Sequence, residues 1–167
     1  YFFTVNLNDR RQDYLVRYIE AFRAAFREMQ QYLPSETLAI CILPDHFHWV
    51  VVLPENDHDF SRRIQNLKIN FTKRLPLSLY NPQAGQTGKR ESGIWQSKFW
   101  EHAIRDERDL YNHIAYTYYN PVKHGYAKSV ADWPFSSFHR DVSDGLFPID
   151  WGGAVSEEIK NLYVERP

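Results

Sequence analysis

At 167 residues the chain has the length of one domain with room for a sizeable core, and 43% hydrophobic with 16% aromatic residues is a globular composition that excludes intrinsic disorder. The single cysteine, Cys41, excludes an internal disulfide, and no stretch has the apolar length to cross a membrane or the form of a secretory leader, so a cytoplasmic location is expected. A net charge of −1 argues against a uniformly basic nucleic-acid binder, but between residues 61 and 90 stand Arg62, Arg63, Lys68, Lys73, Arg74, Lys89 and Arg90, seven positive charges with no Asp or Glu. Such a run is ordinarily a solvated helix face, yet it is also what a polyanion partner requires locally.

Residues 1–7 alternate as a strand does, and they open without a start methionine, so a few preceding residues are expected. Asn8 and Asp9 offer N-cap chemistry. Apolar residues then recur at Leu15, Ile19, Phe22, Phe26, Met29 and Leu33, in steps of four and three that predict one long amphipathic helix stopped by Pro34. Fewer than three heptads followed by strands favour packing on a sheet over a coiled coil. Residues 37–43 and 46–53 read as the second and third strands, antiparallel about the tight Pro44-Asp45 connection, with Cys41 as core filler rather than a nucleophile. Asp57 or Asp59 caps a second helix with the apolar stripe Phe60, Ile64, Leu67, Phe71 and Leu75. Arg62, Arg63, Lys68, Lys73 and Arg74 fall largely off that stripe, toward solvent or a ligand.

Residues 76–93 form a long basic loop that includes Lys89 and Arg90, and a fourth, aromatic strand with its approach is expected over 93–105. Asp106 caps a third helix running to Asn120 and ended by Pro121. Strand, helix, strand, strand, helix, strand and a further helix make the split β-α-β arrangement of the ferredoxin-like fold. The class is α+β: an antiparallel sheet with helices on one face, an extra helix, and an irregular C-terminal tail. Residues 1–126 are read as the working domain. Residues 127–167 are read as a tail packed back onto it by Trp133, Phe135, Phe138, Phe147 and Trp151.

Two features point to chemistry. His46 and His48 lie one residue apart in the third strand, so both rings share a face while Phe47 and Trp49 take the other. Their Cα atoms are about 6.6 Å apart, close enough for both rings to grip one cation. In the third helix, Leu110, Ile114 and Thr117 are expected to face the core, which puts Tyr116 roughly 150° away with Asn120 one turn on. Tyr111 and Tyr118 flank the stripe and read as core aromatics; Tyr119 is ambiguous.

His46-Phe47-His48 resembles the His-hydrophobe-His signature of the HUH nucleases. Tyr116-Thr117-Tyr118-Tyr119-Asn120-Pro121-Val122-Lys123-His124-Gly125 resembles the tyrosine helix of the single-tyrosine transposases, specifically the REP-associated tyrosine transposases. Phe99-Trp100-Glu101-His102-Ala103-Ile104-Arg105, Trp133-Pro134-Phe135-Ser136-Ser137-Phe138-His139-Arg140 and residues 1–7 are similar to that family as well, so the resemblance covers essentially the whole chain. It implies His46 and His48 as ligands of a divalent metal, Tyr116 as the nucleophile, and Asn120 as a third protein ligand where insertion-sequence relatives carry Gln. It implies single-stranded DNA folded into the hairpins of repetitive extragenic palindromes as the partner, met in the cytoplasm at the nucleoid, and a monomer in place of the obligate dimer of those relatives.

A tyrosine hydroxyl with pKa near 10 is a poor nucleophile unaided. A cation on His46, His48 and Asn120 would stabilise the charge that builds on the scissile phosphate, and the mixed imidazole and amide-oxygen set suits Mg²⁺ or Mn²⁺. Tyr116 would displace a 3′-hydroxyl and keep the 5′-phosphate as an ester, which a second 3′-hydroxyl could reverse. The hairpin is assigned to Arg62, Arg63, Lys68, Lys73, Arg74, Lys89 and Arg90, with Lys123 near the cut. Two other readings stand beside this one: a metal nuclease that activates water while Tyr116 is structural, and a hairpin-binding domain without catalysis.

Overall fold

Four strands among the described residues, β1 (Phe2–Asn6), β2 (Glu36–Ile42), β3 (His46–Val52) and β4 (Trp100–His102), form one antiparallel sheet in the order β2-β3-β1-β4. This is the computed structural model, which describes residues 1–79, 93–153, 155 and 159. The strand order and the helices between them are the α+β, ferredoxin-like arrangement expected from the element sequence.

The register sorts the sheet into two faces. Phe3 pairs with Trp49 and Val5 with Phe47, and these side chains enter a core roofed by α2 (Ile19–Tyr32) and α3 (Phe60–Thr72) through Phe22, Ala25, Met29, Ile64, Leu67 and Phe71. Each fully buried Phe, Leu, Ile, Val or Met among them contributes about 1.5–3 kcal/mol. Phe2, Thr4 and Asn6 pair with Val50, His48 and His46, so both histidines take the opposite face, beside Ala39 and Cys41 of β2. That face is covered by α4 (Glu107–Lys123), whose Ala115, Tyr116 and Tyr118 join Phe2, Ala39 and Val50 in a second core cluster.

Three boundaries differ from the sequence reading. The first predicted helix is broken at Tyr18, between α1 (Tyr14–Arg17) and α2, yet Tyr18 N–H still donates to the Tyr14 carbonyl and Phe22 N–H to that of Tyr18. Bonds on both sides of the break keep the i to i−4 spacing, so the apolar stripe is undisturbed and cannot reveal it. The fourth strand is three residues long rather than spanning 93–105. Part of its approach bonds to α3 instead: Trp95 Nε1 donates to the Lys68 carbonyl, and Lys68 Nζ to that of Gln96. Finally, α4 passes through Pro121 to Lys123. A proline in the last turn removes one helical donor only, and the helix closes at Gly125 (φ +74°), where Tyr126 N–H reaches the Pro121 carbonyl and Gly125 N–H that of Val122.

The segment after α4 lies along β2. Ile42 N–H donates to the Phe135 carbonyl and Ser137 N–H to that of Ile40, while Arg140 of α5 (Phe138–Ser143) donates to the Thr37 and Leu38 carbonyls. Trp133 adds its indole N–H to the Ile42 carbonyl and packs on Cys41 and Leu43. The β2 edge of the sheet is thereby covered.

Candidate active site

The two imidazoles of β3 are buried and held from behind. His46 Nδ1 lies 2.7 Å from Asp45 Oδ1, and Arg10 braces the other carboxylate oxygen of Asp45. His48 Nδ1 lies 2.9 Å from Thr4 Oγ1, its cross-strand neighbour. With a proton on each Nδ1, both rings donate to these oxygens, and coordination by either would run through Nε2. Burial tends to raise the Asp45 carboxyl, but the hydrogen bonds of His46 and then of the Arg10 guanidinium outweigh it and hold the acid below its ordinary value. The two ring centres are 4.9 Å apart and nearly perpendicular, and His124, one residue beyond α4, stands 5.4 Å from His46.

From the helix side, Tyr116 lies against this pair, its ring centre 5.2 Å from that of His48 in the same chain. Its surroundings correct the helical-face assignment. The buried residues of α4 include Asp109, His113, Tyr116 and Asn120, in steps of four, three and four, beside Ala115, Thr117 and Tyr118, while Leu110 and Ile114 are only half-buried. Tyr116 is 0% exposed and does not point away from the core. The sheet face beneath mixes the histidines of β3 with Phe2, Ala39 and Val50, so polar and apolar side chains of the helix are buried together, which a hydrophobic stripe locates wrongly. Thr117 is buried too, its hydroxyl bonded to the His113 carbonyl.

The hydroxyl of Tyr116 is not in greasy packing: Lys123 Nζ donates to it at 3.2 Å. Tyr118, by contrast, donates to the Asp141 carboxylate beside Ser137, and burial, then Asp141, push its pKa well above the usual phenol value. Tyr111, expected as a core aromatic, is 49% exposed. Asn120 is fully buried one turn beyond Tyr116, and neither its Oδ1 nor its Nδ2 has a hydrogen-bond partner among the described residues. An unsatisfied buried amide costs about 1–3 kcal/mol. An unsatisfied amide on the helix that lays Tyr116 against His48, taken with the two imidazoles, is a donor set that fits a divalent cation.

The basic candidates divide. Arg62 on α3 and Lys73, just past its end, are exposed. Arg63 is a correction: at 1% exposure its guanidinium binds the Asp57 carboxylate and the carbonyls of Asp59 and Pro34, tying the start of α3 to the α2–β2 connection. Lys68 is half-buried, donating to the Gln96 carbonyl with Trp95 and Phe99 beneath its ammonium. Arg74 pairs with Glu28 and donates to the Asn70 carbonyl. Lys123 is turned onto Tyr116, and Lys89 and Arg90 lie outside the described residues. Cys41 is buried, which pushes its thiol well up and leaves it inert.

A second cluster escaped the sequence reading. His102 of β4, and Asp109 and His113 of α4, bring their ligand atoms within 4.8 Å of one another. Asp109 accepts from His102 Nε2 at 2.8 Å and from Arg105 N and Nε at 3.0 and 3.2 Å, while His113 Nδ1 donates to the Asp109 carbonyl. Burial works to raise the Asp109 carboxyl, but His102 and Arg105 outweigh it and hold it well below the carboxylate range. A carboxylate already filled with donors is an ion-pair clamp between β4 and α4. The i, i+4 spacing of Asp109 and His113 was the available signal.

No family model matches the chain. It is 53% identical over 160 residues to a Haemophilus influenzae protein named as a REP-associated tyrosine transposase, covering 96% of this chain and 91% of that one. It is 45% identical over 157 residues to the REP-associated tyrosine transposase of Escherichia coli, covering 94% and 87%. A solved structure of a REP-associated tyrosine transposase bound to a REP hairpin superposes with a TM-score of 0.79 at 45% identity, over 93% of this chain and 86% of that one.

Proposed function

Since this chain belongs to the family of the REP-associated tyrosine transposases, we propose that it binds single-stranded DNA folded into a REP-type hairpin and cleaves and rejoins it through a covalent bond to Tyr116. The observation that carries this reading is the packing of Tyr116 on His48 within one chain, with the amide of Asn120 one turn away. A phenol, two imidazoles and an unsatisfied amide are the parts that phosphodiester transesterification needs.

In this mechanism His46, His48 and Asn120 would hold a divalent cation, Mg²⁺ or Mn²⁺. Such a cation would supply positive charge to the scissile phosphate as the displacement proceeds. Asp45 and Thr4 keep the two rings in one tautomer and orientation. Tyr116 Oη attacks in line, the 3′-oxygen leaves as a hydroxyl, and the 5′-phosphate stays on the tyrosine. One phosphodiester replaces another of similar energy, so a second 3′-hydroxyl can reverse the step without ATP. Because the histidine pair and Tyr116 belong to the same chain, a monomer suffices. Arg62 of α3 and Lys73, just past its end, are exposed cations available for hairpin phosphates. No helix among the described residues is long and apolar enough to cross a membrane, in keeping with work at the nucleoid.

The test is cleavage of an end-labelled hairpin oligonucleotide with Mn²⁺. Tyr116→Phe is expected to lose strand scission with hairpin binding retained, and His48→Ala and EDTA to abolish scission too. Cleavage surviving in Tyr116→Phe would point to activated water. Activities indifferent to EDTA would point to a binding domain alone.

A further inference from the structure

Lys123 is the last residue of α4, two turns after Tyr116 and on the same side of the helix. Lys123 is an exposed residue, and an exposed lysine ordinarily extends into water. Here the side chain folds back: Nζ donates to Tyr116 Oη at 3.2 Å and stands 4.7 Å from the ring centre. The helix end that sets this geometry is itself fixed, by the bonds of Gly125 and Tyr126 to the Val122 and Pro121 carbonyls. On its other side the phenol ring meets His48 and Phe2.

Resting on the reading of Tyr116 as nucleophile, we propose that Lys123 is a catalytic residue that grips the attacking oxygen, and not a contact to the DNA backbone away from it. The bond from Nζ fixes where the lone pairs of Oη point. The ammonium favours the electron-rich oxygen that forms the new bond. As the Oη–phosphorus bond forms, the phosphorus–O3′ bond breaks. The phenolic proton passes to water, the departing 3′-oxygen takes a proton from water, and Lys123 keeps its own three protons throughout. The position of the lysine is what matters: arginine reaches the same oxygen with a charged donor, and methionine fills the space with none.

The measurement is the single-turnover rate of covalent adduct formation by the full chain on a labelled hairpin oligonucleotide with Mn²⁺, for wild type, Lys123→Arg and Lys123→Met. Hairpin affinity is measured alongside in EDTA at several salt concentrations, and thermal melting confirms that each variant is folded. Lys123→Met is expected to slow the adduct about 10²-fold, the scale of losing one preorganised donor. Its affinity stays within about threefold of wild type with an unchanged salt slope. Lys123→Arg recovers about tenfold of the lost rate or more. Adduct formation by Lys123→Met at the wild-type rate overturns the proposal. So does a loss of rate matched by weaker binding and a salt slope smaller by about one, which marks a phosphate contact. Should the wild-type chain form no adduct, the reading of Tyr116 as nucleophile fails first; a wild-type adduct with an indifferent Lys123→Met sinks the lysine alone.

Discussion

Thr4 and Asp45 never meet substrate in this account, yet each fixes one imidazole through its Nδ1. Groups of this kind set the basicity and direction of a metal ligand, and losing one costs about 10–100-fold in metal affinity. Thr4→Val and Asp45→Asn are therefore expected to weaken Mn²⁺ binding on that scale in a calorimetric titration, without DNA present. Asp109 and His113 make a different statement, about stability and pH. Asp109 is held below the ordinary carboxylate value near 3.8, so its contribution is present above that pH and is lost as pH falls below it. Burial, opposed by the bond to the Asp109 carbonyl, lowers His113 from 6.5, so the folded chain resists its protonation and loses stability as pH drops through about 6.5. Asp109→Asn is expected to cost about 1.5–3 kcal/mol at pH 7, and the gap to wild type to close as the acid is protonated, measured by denaturant melts along a pH series. At this scale the sequence was legible for His46 and His48, because alternation along a strand needs no knowledge of packing. It was not legible for Thr4, Asp45 or the Asp109 clamp, whose meaning comes from partners brought near by the sheet or by the docking of β4 on α4.

Along α3, neighbouring arginines have opposite fates. Arg63 is buried on the carbonyls of Asp59 and Pro34 and on Asp57, whereas Arg62 stays in solvent. Arg63→Ala is expected to destabilise the fold by about 2 kcal/mol or more, having lost both packing and charged hydrogen bonds. Arg62→Ala is expected to leave stability within about 0.5 kcal/mol while lowering the salt slope of hairpin binding by about one. A charge run cannot distinguish the two, since one residue of offset along the helix turns a side chain by about 100°. The same limit misplaced the face of α4. Hydrophobic spacing assumes a wholly apolar floor, whereas the sheet face under this helix carries His46, His48 and Thr4 beside Phe2, Ala39 and Val50. The element itself, its Asp106 cap and its juxtaposition of Tyr116 with Asn120 were readable from spacing, because those depend on the helix alone.

For the molecule as a whole, we propose that residues 1–126 are the working domain and 127–167 a tail that belongs to the same folding unit. The tail's described residues cover the β2 edge through Phe135, Ser137 and Arg140 and fill the core beside α4 with Val130 and Phe138. A chain ending at residue 126 is expected to expose that edge and to associate or precipitate at concentrations where the full chain is monomeric by light scattering. The strand order was legible from the alternation of elements, whereas the covering of the edge was not, since the tail has no periodicity and acts through backbone bonds any sequence could make.

Holding Tyr116 against His48 in one chain is the claim on which the rest depends. It is tested most directly by digesting the adduct formed on a hairpin oligonucleotide with Mn²⁺ and mapping the modified peptide by mass spectrometry. The account predicts a 5′-phosphonucleotide on the peptide that contains Tyr116, at Tyr116 itself. Strand scission with the modification on Tyr118 or Tyr119, or with no modified peptide at all, would contradict it.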